Sequence, residues 1–245
     1  MTLDLYNLRN EYIAIVPVFN EQNKVEIVLK SLISNYPILK IYIIDDGSTD
    51  ETKKIIEQFK HNNVTKLFNN SNYGKGYSIR LALSKIRPDK NKIIFFWDGD
   101  DELEVTDITN LIQNYENDPS CSVLFGSRFL VEKPISKFGV LKVFINYFLT
   151  YLFNIIVRTQ LTDMETAVKS FNSILLKDLI LTSDRFEIEP EITFKLAKLE
   201  KINEFPISYK PRTKKEGKKI SMVDGIKTIK TIVWIKKYGQ NTTYI

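Results

Sequence analysis

Carboxylates gather at three places in the first part of the chain, each directly after a short apolar run. Asn20-Glu21 follows Tyr12–Val18 (YIAIVPV), Asp45-Asp46-Gly47-Ser48 follows Lys40–Ile44 (KIYII), and Asp98-Gly99-Asp100-Asp101-Glu102 follows Lys92–Trp97 (KIIFFW). One acid after a strand is ordinary, because it can cap the next helix. Three such clusters at one sheet edge need more than capping. Four carboxylates in five residues create a dense negative field unless a cation neutralises it. A divalent ion that shares diphosphate oxygens would do so, with Gly99 letting backbone and ligand approach closely. The single histidine, His61, and single cysteine, Cys121, argue against a His-based metal site, a Ser-His-Asp relay, an internal disulfide framework and a Cys-rich zinc module. Any metal is then held mainly by oxygen, which points to magnesium or manganese.

The elements that must position these acids alternate. Tyr12–Val18 is β-branched and apolar and reads as a buried strand; Asn20 could cap the helix after it, with Glu21 in the first turn. Lys40–Ile44 is the second strand, and Thr49 or Asp50 can cap a helix over 51–60. Val64–Phe68 is a third strand, Asn69–Gly76 a polar loop, and a helix follows to Ile86. Lys92–Trp97 is the fourth strand and Ser122–Phe125 a fifth. Strands separated by helices imply an α/β fold with a mostly parallel, Rossmann-like central sheet and helices on both faces. Ligands of such sheets bind at the carboxyl ends of the strands. No G-x-G-x-x-G follows the first strand and no G-x-x-x-x-G-K-[ST] occurs, which disfavours a dinucleotide dehydrogenase or a P-loop NTPase.

The chain has 245 residues, 43% of them hydrophobic and 27% charged, enough for one large globular domain. The formal net charge is +5, yet Lys201 to Ile245 holds eleven basic side chains against three acids. A basic tail on a slightly acidic body suits a polyanionic partner, whether phosphates, nucleic acid or an anionic membrane; a solvated surface is the plain alternative. Met1 to Tyr12 does not read as a signal peptide, which together with the lone cysteine favours the cytosol. Phe138–Val157 (FGVLKVFINYFLTYLFNIIV) is nearly all apolar, with Lys142, Asn146, Thr150, Asn154 and Arg158 recurring every four residues. On a helix these form one narrow polar stripe. Three readings follow: a core helix touching solvent along the polar edge, a helix in a membrane interface, or a span.

Four ordered motifs carry a resemblance. Val16-Pro17-Val18-Phe19-Asn20-Glu21, Asp45-Asp46-Gly47-Ser48-Thr49-Asp50, Asn72-Tyr73-Gly74-Lys75-Gly76 and Asp98-Gly99-Asp100 resemble those of glycosyltransferase family 2. Gly126-Ser127-Arg128-Phe129, Thr162-Asp163-Met164-Glu165-Thr166, Phe186-Glu187-Ile188-Glu189-Pro190-Glu191 and the Pro206 to Ile220 region resemble its dolichyl-phosphate mannose synthase branch. The likeness runs from about Ile13 to Tyr238. It implies the GT-A nucleotide-diphospho-sugar transferase fold, with a catalytic domain over residues 1–212 and a basic C-terminal loop and helix over 213–245. Pro17, Phe19, Glu21, Ile44, Asp46 and Lys75 would then hold the nucleotide sugar, together with Asp98, Gly99 and Asp100. Asp98, Asp100 and Glu102 would surround Mg2+ or Mn2+. Arg128, Arg212 and Lys218 would bind the acceptor phosphate, and Asp100, Arg128 and Asp163 would be the catalytic set. Glu102 stands where Gln is common in the mannose synthases, and Thr166-Ala167-Val168 replaces a small-Gly-Phe pattern.

The implied reaction is inverting transfer from a UDP- or GDP-sugar to a polyprenyl phosphate. An ionised lipid phosphate needs no general base; a sugar hydroxyl acceptor on a surface polysaccharide or glycan would, with Asp163, Glu165, Glu187 and Glu189 as candidates. A polyprenyl acceptor also favours the interfacial reading of 138–157 and a peripheral place on the cytoplasmic face of the membrane. A nucleotidyltransferase is disfavoured by the missing Gly-rich basic N-terminal loop. Nucleic-acid binding is not expected, because no compact nucleic-acid motif accompanies the basic tail.

Overall fold

The computed structural model describes residues 4–5, 7–131, 140–210, 231, 233 and 234. The elements run β1 (Glu11–Val18), α1 (Val25–Asn35), β2 (Lys40–Asp45), α2 (Thr52–Gln58), β3 (Val64–Phe68), α3 (Lys75–Leu83), β4 (Lys92–Phe96), α4 (Asp107–Asn117) and β5 (Val123–Ser127). They continue with α5 (Val140–Val157), β6 (Lys169–Asn172), a short 3-10 turn over Ser173–Lys177, α6 (Ile188–Leu199) and β7 (Ile202–Pro206). Seven strands form one sheet in the order β3-β2-β1-β4-β6-β5-β7. All neighbours are parallel except β6, which runs antiparallel to both β4 and β5. The α/β expectation holds, and the first five strands lie within two residues of their sequence positions. β6 and β7 are additions that the hydrophobic pattern did not single out.

Both faces of the sheet are buried, as a parallel sheet between helices requires. Alternation splits β1 cleanly: Tyr12, Ala14, Val16 and Val18 enter one core with α1 and α4, while Ile13 and Ile15 enter the other with α3 and α6. β4 divides the same way, Ile93 and Phe95 to the first core and Ile94 and Phe96 to the second. The chain moves outward from β1 to β3, then returns to place β4 on the other side of β1. That reversal is a topological switch point, and it opens a crevice at the carboxyl ends of β1, β2 and β4.

The expected start of the first helix at Asn20 and Glu21 changes, while the Asp50 expectation holds. Asn20 does not cap α1, which begins at Val25. Asn20 instead takes a left-handed backbone (φ 52°), and its side-chain oxygen accepts from the Thr49 N–H at 2.8 Å, tying the β1 loop to the β2 loop. Asp50 does accept from the Thr52 N–H at the head of α2 (3.0 Å).

Helix α5 inverts the simplest reading of its pattern. Thr150 and Asn154 of its polar stripe face the protein, while Asn146 is half-buried and Arg158, at the end, is exposed. The buried Thr150 hydroxyl accepts from the Met164 N–H at 3.2 Å. The Asn154 amide accepts from the Leu161 N–H and donates to the Leu161 carbonyl. The opposite side carries Phe144, Phe148, Tyr151 and Ile155 at 67, 51, 65 and 57% exposure. The middle of the stripe therefore bonds to the protein, and the broad exposed face of the helix is aromatic and apolar. Among the described residues no helix is long and apolar enough to cross a membrane. The Lys142 side chain and the segment 213–230 lie outside the described residues.

Candidate active site

The switch-point crevice holds a cleft of about 310 Å³. Pro17, Phe19, Glu21, Asp46, Lys75, Asp98, Gly99, Asp100 and Glu102 line it. These came from separate motifs, and the fold brings them together because Pro17 ends β1 and the others lie on the loops and helix start beyond the carboxyl ends of β1, β2, β3 and β4. Ile44 is the exception. It is fully buried in the core with Ile13, Ile15 and Ile79, inside the sheet two residues before Asp46, where the cleft begins. Asn72, Gly74, Arg185 and Phe186 also line the cleft; none had been assigned a role from the sequence. Arg185 and Phe186 lie just before α6, far along the chain from the acid clusters, and no periodicity marks them.

Asp46 builds the cleft wall. Its carboxylate accepts from the Asn69 amide (2.8 Å), the Tyr73 N–H (3.1 Å) and the Gly74 N–H (2.8 Å), which folds the loop after β3 across the end of β2. The turn after β4 is equally constrained. Asp101 is left-handed (φ 64°), and Asp100 Oδ1 accepts from the Glu102 N–H at 3.1 Å. A Cβ on Gly99 would sit 2.2 Å from Val18 Cγ1. The glycine thus lets the acid turn pack on β1, a close approach of protein to protein rather than only to a ligand.

Behind the acids runs a line of alternating charge. Lys75 Nζ lies 2.8 Å from Asp98 Oδ1 and 2.8 Å from Glu189 Oε1. Glu189 also pairs with Lys169, a lysine with no exposed side-chain surface on β6, whose ammonium donates to the Thr166 carbonyl as well. Burial disfavours the charge on Lys75, but Asp98 and Glu189 outweigh it and raise the ammonium pKa. Burial likewise opposes ionisation of Glu189, and Lys169 with Lys75 overcomes it, so the carboxyl stays below its ordinary value.

Arg128 and Asp163 form a second unit. Asp163 is fully buried and accepts from Arg128 Nε (2.7 Å), Nη2 (2.7 Å) and the Arg128 N–H (3.1 Å). Glu204 holds the Thr162 and Asp163 N–H groups from the other side. Such a bidentate pair fixes the guanidinium in one orientation. Asp163 is thus bound up in positioning Arg128. The Arg128 guanidinium carbon lies 5.5 Å from the centre of the Tyr209 ring, and Tyr209 donates its hydroxyl to Glu102. A continuous path therefore links Arg128 to the cleft. Glu165 is different: its buried Oε1 has no hydrogen-bond partner among the described residues. Burial pushes its pKa up to about 7, with Lys169 pulling it back and Glu189 adding to the rise. Arg212 and Lys218 lie outside the described residues.

Among the described residues no group of three or more potential ligands is arranged to hold a metal by itself. Asp98 and Asp100 are nonetheless two carboxylates on one cleft. That donor set suits a hard divalent cation whose remaining positions are filled by oxygens of a bound diphosphate. Glu102 lines the same cleft and accepts the Tyr209 hydroxyl at Oε2.

Comparison with known proteins agrees with this arrangement. An uncharacterised protein of Methanocaldococcus jannaschii is 31% identical over 196 residues, covering 76% of this chain and 82% of the relative. The UDP-N-acetylglucosamine–dolichyl-phosphate N-acetylglucosaminyltransferase of Methanococcus voltae is 27% identical, covering 79% of this chain and 83% of the relative. Glucosyl-3-phosphoglycerate synthase of Mycobacterium tuberculosis is a structural neighbour. Its UDP complex superposes with a TM-score of 0.71 at 14% identity, covering 93% of this chain and 80% of that one. Its complex with Mn2+, UDP and glucosyl-3-phosphoglycerate gives 0.64 at 14% identity, with 92 and 79% covered. The family model for glycosyl transferase family 2 matches residues 13–167, which contain all three acid clusters and the Arg128–Asp163 pair. The chain therefore belongs to glycosyl transferase family 2 and is a glycosyltransferase of GT-A fold.

Proposed function

We propose that the enzyme transfers a sugar from a nucleoside-diphosphate sugar to a polyprenyl phosphate, with inversion, at a membrane surface. The observation that carries this reading is the position of α5. Its exposed aromatic face adjoins the loop that bears Arg128: the Phe129 and Tyr147 rings lie 4.7 Å apart. A lipid-facing surface beside a buried, oriented arginine suits an acceptor with an apolar tail and an anionic head. A helix that turns Thr150 and Asn154 to its own protein and its aromatics outward has the pattern of an interfacial element. Basic residues of the C-terminal segment would add attraction to anionic lipids, roughly 1 kcal/mol per Lys or Arg near the surface. The dolichyl-phosphate acceptor in the name of the M. voltae relative supports the same choice.

In this reading Pro17, Phe19, Glu21 and Asp46 hold the nucleoside, and Asp98 and Asp100 hold Mg2+ or Mn2+ against the diphosphate, as the Mn2+ and UDP in the structural neighbour suggest. When bound, the cation would offset charge that develops on the leaving diphosphate. Lys75 keeps Asp98 in place, and Arg128, fixed by Asp163, positions the acceptor phosphate, with Arg212 and Lys218 assigned the same duty. A phosphate oxygen forms the bond to the anomeric carbon as the bond to the β-phosphate oxygen breaks, and the nucleoside diphosphate departs. The acceptor is already an oxyanion, so no protein group has to take a proton.

A second reading rests on Glu165. A carboxyl raised to about 7, whose buried Oε1 has no hydrogen-bond partner among the described residues, is suited to act as a base toward a sugar hydroxyl. One experiment separates the two. Purified enzyme is incubated with Mn2+ or Mg2+, a panel of UDP- and GDP-sugars and either polyprenyl phosphate in detergent or an oligosaccharide, and products are read by mass spectrometry. A lipid-phosphate-sugar mass that vanishes in Asp100→Ala supports the first reading. Donor consumption only with the oligosaccharide refutes it in favour of the second.

A further inference from the structure

We infer that Arg185 is a donor-binding residue, whose guanidinium takes an oxygen of the nucleoside diphosphate at the Asp46 side of the cleft. This rests on the nucleotide-sugar reading above and adds to it a residue outside the four motifs and outside the matched family region. The cleft is lined by five carboxylates, Glu21, Asp46, Asp98, Asp100 and Glu102, and by two cations, Lys75 and Arg185. Lys75 is doubly committed, to Asp98 and to Glu189. Arg185 makes no ion pair with any described residue. Its contacts are to neutral oxygens: Nη1 donates to Asn72 Oδ1 at 3.1 Å and Nη2 to the Asn72 carbonyl at 3.5 Å. A guanidinium carries five N–H donors and stays charged at any accessible pH. Held by a neighbour that does not neutralise it, at the rim of a mainly acidic cleft, it is among the described residues a cation without an anion.

The segment bearing Arg185 is built to stay in place. Glu191 of α6 accepts from the Thr182 hydroxyl (2.8 Å) and from the Thr182 and Ser183 N–H groups (2.9 and 2.8 Å). The Tyr77 N–H donates to the Asp184 carbonyl at 2.9 Å, and Arg80 bonds both the Thr182 carbonyl and Asp184. The contact with the Asn72–Gly76 loop is so close that only glycine fits. A Cβ at Gly74, where φ is +106°, would meet the Asp184 carbonyl at 2.5 Å and Arg185 Cγ at 2.6 Å; one at Gly76 would meet the Ser183 carbonyl at 2.3 Å. Gly74 is also the residue whose N–H bonds Asp46. The arginine stem thus lies directly over the loop that Asp46 organises, so its head is presented at that end of the cleft. Asn72 fixes the head, and little ordering remains to be done when the ligand enters.

The test is nucleoside-diphosphate binding by the full chain, titrated calorimetrically with UDP and with GDP in Mn2+ at fixed salt. Loss of one charge-assisted hydrogen bond corresponds to about 10- to 100-fold in Kd, so Arg185→Ala is expected to weaken the preferred nucleotide by that factor, with an unchanged melting temperature because the side chain is exposed. Arg185→Lys should recover part of the loss, and Asn72→Ala, which releases the head, should give an intermediate loss. Equal weakening for UDP and GDP assigns the contact to the diphosphate; weakening confined to one assigns it to the base. Wild-type enzyme that binds a nucleoside diphosphate while Arg185→Ala binds it equally well overturns this inference alone. Wild-type enzyme that binds neither nucleotide overturns the nucleotide-sugar reading and this inference with it.

Discussion

Glu189→Gln tests the buried charge line behind the cleft. The Lys169 side chain has 0% exposure and that of Glu189 7%, so solvent cannot replace a lost partner. Removing one member of a buried pair typically costs about 3–5 kcal/mol, because the remaining charge is stranded. Here Lys169 would keep the neutral Thr166 carbonyl and the nearby Glu165, whose charge could partly compensate. The lower end, about 3 kcal/mol, is therefore expected. For a chain of this size 1 kcal/mol moves the melting temperature by about 2–4 °C, so Glu189→Gln should melt about 6–12 °C below wild type at pH 8. Lys169→Met should cost much less, because Glu189 retains Lys75 at 2.8 Å and a methionine can fill the lysine stem's volume. The double variant should melt above Glu189→Gln, since no buried cation is then left unpaired.

The pH dependence has a definite sign. Glu189 is held below its ordinary pKa in the fold, so its contribution is present above the unfolded carboxylate value and is lost as pH falls through the depressed one. The gap between wild type and Glu189→Gln should therefore close toward acid pH. Melting followed by circular dichroism from pH 3 to 8 measures all of this. The reasoning is refuted if Glu189→Gln melts with wild type at pH 8, or if Lys169→Met is the more damaging of the two.

Three further outcomes follow from the same geometry. Glu165 titrates near 7 in the fold, above its ordinary value because of burial, so wild type should lose stability as pH rises from about 4.5 to about 7. Glu165→Gln should remove that slope and be the more stable protein at pH 8, by up to about 3 kcal/mol; parallel denaturation curves across the range would contradict the assignment. Paired Phe148→Ser and Tyr151→Ser changes, at positions 51 and 65% exposed, should leave the melting temperature within a degree or two of wild type while abolishing flotation with anionic liposomes. A double variant that still floats removes α5 from the membrane contact. Gly99→Ala forces a methyl group to 2.2 Å from Val18 Cγ1 and should destabilise by about 1–3 kcal/mol, with a weaker Mn2+ response in nucleotide titrations as the acid turn shifts; an unperturbed melt would show that the turn yields freely.

The parts of the fold that were legible in the sequence are those whose signal is local. An apolar run that ends in acids marks both a buried strand and the functional edge of the sheet, and this placed Glu21, Asp46, Asp98 and Asp100 on one cleft without knowledge of the sheet order. What stayed hidden depends on partners distant in sequence. Lys169-Ser170-Phe171-Asn172 reads as a polar segment, yet it is an antiparallel strand between β4 and β5, and Lys169 is buried because Glu189 reaches it from α6. Ile44, assigned through the resemblance, lies one pleat too far inside the sheet to line the cleft, a matter of depth that a motif does not show. Helix α5 was ambiguous: its stripe at every fourth residue defined two faces, but the orientation was set by unpaired N–H groups of the loop at 161–164, which Thr150 and Asn154 satisfy.

These hidden contacts share a consequence for how the enzyme is assembled. The first four strands make the cleft, but its polar network is completed from the second half of the chain, by Glu189 through Lys75, by Tyr209 through Glu102, and by the segment carrying Arg185. The Arg128–Asp163 pair is likewise closed by Glu204 on β7. A fragment ending near residue 167 would retain every acid in the cleft while losing Glu189, Arg185, Glu204 and Tyr209. Its carboxylates would face one another with fewer cations to offset them, and Lys75 would have Asp98 alone. The acid motifs therefore define where a nucleotide sugar would bind, whereas the distant pairings hold the side chains around those acids in register.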